Sequence, residues 1–216
     1  MQQGVPESVE PSRRLHNLLH EIRSCCVCAP HLPLGANPVL RAHPAARILI
    51  VGQAPGTRVH ATGIPWNDPS GDKLREWLGV NRAQFYDEQN FAIIPMGFCY
   101  PGKGKGGDKP PRPECAPLWH AKLDALLPNV RLTLLVGAYA IARYLPHSRA
   151  LSLTECIAKA DFKRERTLPL VHPSPRNKLW LKRNPWFESR CVPLLRKRLH
   201  DELALPRLTA IRPFPE

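Results

Sequence analysis

The chain of 216 residues has no long apolar run. Its longest hydrophobic stretches, RILIVG (47–52) and LTLLVGAYAIARYL (132–145), fall short of the ~20 residues that span a bilayer. No membrane association is expected. The opening stretch MQQGVPESVEPSRR lacks the apolar segment that directs secretion, so a soluble, cytoplasmic protein is expected. Acidic residues are scarce: 18 Asp and Glu stand against 31 Lys and Arg, a formal charge of +13. No basic tail accounts for the excess, which is spread over 102–112, 163–166, 176–183 and 196–198. Internal repeats are absent too. A charge of this sign and size is a footprint for polyanions, with a merely basic soluble protein as the alternative.

Hydrophobic residues make up 43% of the chain, enough for a core without covalent staples. One domain over 1–216 is expected, with flexible tails at 1–10 and 206–216. The odd count of seven cysteines, without a secretory signal, argues against a disulfide framework.

Periodicity predicts an opening helix over 8–24, with Leu15, Leu18, Leu19 and Ile22 on one face. A Pro-rich connector follows over 30–44. Short apolar strands are predicted at 47–52, 91–96, 132–136 and 168–171. Helices are predicted at 70–78, 114–127, 138–144 and 186–203, the last interrupted near Pro193. The stretch PGKGKGGDKPPRP (101–113) reads as an irregular, mobile basic loop. Strands alternating with helices imply an α/β fold. The expected form is a three-layer α/β/α sandwich with a central four-stranded parallel sheet flanked by helices. Ligands of such sheets bind beyond the carboxyl ends of the strands. GQAPG (52–56) and HPSPRN (172–177) follow two of those strands, so both belong on one rim. The prolines after His172 stiffen the backbone and aim the imidazole.

Cys25 and Cys28 form C-x2-C, and fifteen residues separate Cys99 from Cys115. Two such pairs suit tetrahedral zinc or iron–sulfur ligation, and spacing alone does not separate the two. Unliganded, half-buried thiols are the plainer alternative. Cys26 is a competing neighbour, while Cys156 and Cys191 sit in helical contexts that suit a core.

The ordered set GQAPG (52–56), TGIPWNDPSG (62–71), C-x15-C, VGAYA (136–140) and HPSPRN (172–177) resembles the uracil-DNA glycosylase superfamily over about 22–200. The cysteine pattern is similar to its iron–sulfur branch. The resemblance implies a monofunctional hydrolase that flips uracil, with other deaminated bases as further candidates, out of single- or double-stranded DNA. It would cut the N-glycosidic bond and leave an abasic site, working as a monomer associated with the nucleoid. A structural 4Fe–4S cluster would lie on Cys25, Cys28, Cys99 and Cys115, zinc being the lesser alternative.

Roles carry over residue by residue. His172 would donate to O2 of the leaving uracil, a task that a neutral imidazole can perform. Asp68, in NDPSG, would serve the acid side of the chemistry, or merely cap the following helix. Gln53 would orient a water or bond to the base. Trp66 would stack on the base, with Gly52, Ala54 and Asn67 completing the pocket. Gly56 and Ser174 would meet phosphates. Arg176 takes the place of an apolar wedge, where it would fill the vacated stack or grip a phosphate. Lys103 and Lys105 would add a salt-sensitive clamp, aided by Lys109.

The sequence departs from the family pattern in two places. The first motif has Gln53 and Ala54 where relatives carry a carboxylate or an amide. No Asn lies just before Cys99, where AIIPMGFC (92–99) offers Pro95. Tight binding of uracil- or abasic-site DNA without hydrolysis is therefore the alternative function. A serine hydrolase built on Ser174 and His172 is disfavoured, because near neighbours on one loop rarely reach the required hydrogen bond.

Overall fold

A computed structural model describes residues 9–204. The tails expected at 1–10 and 206–216 lie, apart from Val9 and Glu10, outside the described residues. In chain order the strands are β1 (Ile48–Val51), β2 (Phe91–Ile93), β3 (Lys103–Gly104), β4 (Gly107–Asp108), β5 (Leu132–Val136) and β6 (Thr167–Leu170). The α-helices are α1 (Val9–Arg23), α2 (Thr57–Thr62), α3 (Pro69–Leu78), α4 (Arg82–Tyr86), α5 (Cys115–Asp124), α6 (Ala138–Tyr144), α7 (Leu153–Lys159), α8 (Lys178–Arg183) and α9 (Val192–Leu203).

Four strands pair in the order β2-β1-β5-β6, all parallel, as the apolar runs predict. Their continuous Ile, Leu and Val content has a simple cause: alternate side chains feed two cores. Ile48, Ile50, Leu134 and Leu168 meet α3 and α9 through Leu74, Leu78, Leu195 and Leu199. Leu49, Val51 and Leu135 face the other way, against Leu15 and Ile22 of α1, Leu123 of α5 and Ile141 of α6. Each such side chain, fully buried, contributes about 1.5–3 kcal/mol. The chain leaves β1 toward β2 on one side, then returns to place β5 and β6 on the other. A crevice therefore opens beyond the carboxyl ends of β1 and β5, the switch point of the sheet.

Two expectations need correction, and the break expected near Pro193 is found. The stretch 101–113 is not wholly irregular: β3 and β4 form an antiparallel hairpin, with Lys103 opposite Asp108 and Gly104 opposite Gly107. Glycines on both arms, which read as breakers, suit a turn this tight. Strand β2 stops at Ile93 instead of Met96. Ile94 and Met96 still donate their N–H groups to Ile50 and Gly52 carbonyls at 2.9 Å, but Pro95 has none to give. The closing helix is disturbed ahead of Pro193, as a π turn over Phe187–Cys191. Pro193 itself sits in the first turn of α9, where a missing N–H is tolerated. Its ring crowds the carbonyl four residues back, inside that widened turn.

Helices α2, α4, α7 and α8 were not anticipated. Two of them announce themselves: Asn81 with Gln84 and Ser152 with Glu155 are capping boxes. Among the described residues no helix is long and apolar enough to cross a membrane.

Candidate active site

Loops after β1, β2 and β6 converge at the carboxyl edge of the sheet, as the two rim motifs predict. They enclose a pocket of about 430 Å³, mouth included, lined in part by Gly52, Gln53, Trp66, Asp68, Pro95 and His172. Ala54 and Gly56 line it as well.

Trp66 is held in an unfavourable backbone state, with φ at +56°. For a residue with a Cβ this costs roughly 1–2 kcal/mol, so the surroundings must enforce it. Arg75, only 5% exposed, donates from Nη1 to the Trp66 carbonyl at 3.2 Å. Its other nitrogen meets Asp72 at 2.5 Å, and its guanidinium lies over the Phe85 and Tyr86 rings. The Tyr86 hydroxyl donates to the Pro65 carbonyl at 2.9 Å. Any Cβ on Gly71 would collide with the Trp66 carbonyl oxygen, and one on Gly52 would come within 2.9 Å of the indole. The indole thus lies against the end of β1, with its ring centroid 5.4 Å from that of His172. Sequence reasoning missed Arg75 and Tyr86. The Asp72–Arg75 spacing was visible, but nothing in it names a distant carbonyl as the target.

Asp68 does two things at once. Its Oδ1 accepts the Gly71 N–H at 2.8 Å, capping α3, and its carboxylate also lines the pocket. The capping bond contributes about 1 kcal/mol. Burial pushes the proton affinity of His172 below that of an ordinary histidine, with the nearby Asp68 charge partly opposing it. The imidazole is accordingly neutral at pH 7. Its Nδ1 is buried and unpartnered among the described residues. Asn177 fixes the loop by donating to the His172 carbonyl at 2.7 Å.

A wider groove of about 1260 Å³ adjoins the pocket, again mouth included. It shares Gln53, Ala54, Gly56, Asp68 and His172 with the pocket and runs between the β3–β4 hairpin and the Ser174–Asn177 turn. Two motif side chains reach across to the hairpin. Arg176 Nη1 donates to the Gly106 carbonyl at 2.9 Å, and Gln53 Nε2 donates to the Lys109 carbonyl at 3.2 Å. Ser174 Oγ accepts the Arg176 N–H at 3.3 Å. Lys103 and Lys105 are exposed on the hairpin. Asn67 turns aside to Thr62 and Arg82 and is not among the pocket-lining residues.

Behind the pocket, His120 is buried between the Pro95 carbonyl at 3.1 Å and the Tyr144 hydroxyl at 2.8 Å. Burial lowers its pKa to about 4, so the ring is neutral. The network assigns its proton to Nε2, which donates to Pro95 while Nδ1 accepts from Tyr144.

Cys25, Cys28, Cys99 and Cys115 are close enough to feel one another's charge. Burial, then Cys28 and Cys25, push Cys99 up to about 11. Burial, then Cys99, Cys28 and Cys25, push Cys115 up to about 12. Backbone N–H groups oppose this: Asn37 bonds to Cys99, and Phe98 donates to Cys115 Sγ at 3.4 Å. A cationic centre would reverse the penalty by holding the sulfurs as thiolates. The donor set, four thiols with backbone N–H groups beside two of them, suits a metal or cluster on chemical grounds. Cys26 is exposed, and Cys156 and Cys191 lie in the two separate cores.

The site therefore joins a neutral imidazole, a clamped indole and a carboxylate in one pocket, beside a polar groove lined by Asp68, Asp108 and Arg176. Comparison with protein families matches residues 41–196 to the Uracil DNA glycosylase superfamily. Cys25 and Cys28 precede that span, whereas the rim motifs all fall within it. The chain belongs to the uracil DNA glycosylase superfamily.

Proposed function

We propose that the protein excises uracil from DNA by hydrolysis, as a monomer acting on single- or double-stranded substrate. The observation that carries this reading is the pairing of Trp66 with His172, whose Nδ1 has no protein partner. A flipped base slides onto the indole. His172 supplies a hydrogen bond to the base oxygen as negative charge builds there. Asp68 sets a negative charge beside the electron-poor sugar. Among the described lining residues only Gln53 carries a side-chain amide, so the base edge is read by Gln53 and by backbone groups of the rim. Such a pocket admits other deaminated bases. The phosphate chain follows the groove past Gly56, Ser174 and the hairpin lysines.

We also infer that Cys25, Cys28, Cys99 and Cys115 hold a structural 4Fe–4S cluster, with zinc the lesser alternative. A cluster there braces the loops around the groove and takes no part in the chemistry.

An oligonucleotide with one uracil, incubated with the protein and then treated with alkali, should break at that position. Strands left intact in both single- and double-stranded form would overturn the reading. Retarded gel mobility without breakage would identify the binder instead, which the missing first-motif carboxylate favours.

A further inference from the structure

We propose that Asp108, on the second arm of the basic hairpin, is the carboxylate that receives the proton of the attacking water. This rests on the hydrolytic reading above.

The first motif offers no base: Gln53 is an amide and Ala54 is inert. Gln53 is moreover engaged, through Nε2, with the Lys109 carbonyl. Asp68 has one oxygen tied to the Gly71 N–H, where it starts α3. Asp108 has no such duty: among the described residues no hydrogen bond engages its carboxylate. It lines the same groove as Asp68 and His172. Its Oδ2 lies 3.5 Å from where a Cβ on Gly56 would stand, so it overhangs the glycine turn at the pocket mouth.

The placement of Asp108 is built from both sides. Arg176 pins Gly106, two residues before it, and Gln53 pins Lys109, one residue after it. The Lys109 N–H also donates to the Gly102 carbonyl at 2.8 Å, closing the hairpin base. Gly107 is shaped for this, because a Cβ there would strike the Arg176 guanidinium. The two rim motifs thus grip the hairpin on either side of one acidic residue. In a loop otherwise rich in lysine, that residue is its sole acid before Glu114.

The groups facing Asp108 are Arg176, Lys103, Asp68 and Tyr100. Burial raises its proton affinity above that of an ordinary carboxylate, Arg176 and Lys103 oppose this, and Asp68 adds to it. A carboxylate shifted this way is a better proton acceptor than an ordinary one. In the step itself, the water oxygen bonds to C1′ of the sugar as the bond from C1′ to the base nitrogen breaks. The bonding pair stays with the base, and the proton released by water passes to Asp108. Asp68 keeps a separate task, its charge facing the developing sugar cation.

The test is single-turnover excision by the full chain, wild type against Asp108→Asn and Asp108→Glu, with DNA affinity measured alongside. Asp108→Asn should cut the excision rate tenfold or more while Kd for uracil DNA stays within threefold, and Asp108→Glu should recover part of the loss. The acid limb of the wild-type rate profile should flatten in Asp108→Asn. A smaller loss, or one matched by equally weakened binding, overturns the assignment. Both variants alter a side chain on a surface hairpin, outside both cores, and melting curves matching the wild type confirm that rate changes are not unfolding. A wild type inactive on every base instead sinks the hydrolytic reading, and this assignment with it.

Discussion

Burial leaves His172 with a ring nitrogen that the described protein does not satisfy. An orphaned polar atom costs roughly 1–3 kcal/mol, which the fold tolerates where a ligand will occupy it. His172→Ala should therefore separate function from stability. One fixed donor contributes about 3–4 kcal/mol to a transition state, so single-turnover excision should fall by two or more decades. The melting temperature should hold or rise, since the unsatisfied group is gone. A variant that melts earlier yet cuts normally would show that the imidazole is a packing residue. The sequence exposed His172 because Pro173 and Pro175 stiffen the backbone after it, and Trp66 because it occupies the stacking position of the motif it sits in. It hid Arg75 and Tyr86, since a buried cation aimed at a carbonyl nine residues away leaves no local pattern. Asp68 was legible as a helix cap or a site group; the structure shows the cap and sets the carboxylate on the pocket wall.

At the scale of elements, the hairpin is where local reading failed. Gly and Pro punctuate loops, yet here they allow two short arms to pair and to be held by Arg176 and Gln53. The four sheet strands were legible because they alternate between two cores, and the short helices were overlooked despite their capping boxes. The paired arms carry Lys103 and Lys105 exposed on a hairpin whose turn borders the groove. Each phosphate contact contributes about 0.9 to the slope of log K against log salt on duplex DNA. Replacing both Lys103 and Lys105 with Ala should lower that slope by about two and weaken binding alike for all sequences. An unchanged slope would place the DNA elsewhere.

Across the whole molecule, the four cysteines come from parts far apart in the chain. Cys25 follows α1, Cys99 follows the end of β2, and Cys115 opens α5. The Cys99 loop is in turn stitched to the first motif, because the Gly97 N–H donates to the Gln53 carbonyl at 3.0 Å. Loss of the proposed metal centre should reach the pocket by that route. The purified protein should be brown, with iron and sulfide in equal amounts. Cys99→Ser should lose the colour, melt earlier and excise more slowly. A colourless protein carrying one zinc would identify the alternative centre, and a metal-free protein of normal stability would dismiss both.

The pocket draws on Gly52 near one quarter of the chain and on His172 near its last fifth, with β5 between them in sequence and in space. Contacts of such long reach form late. A chain that ends before β6 therefore lacks His172, and the pocket is complete only once β6 lies beside β5.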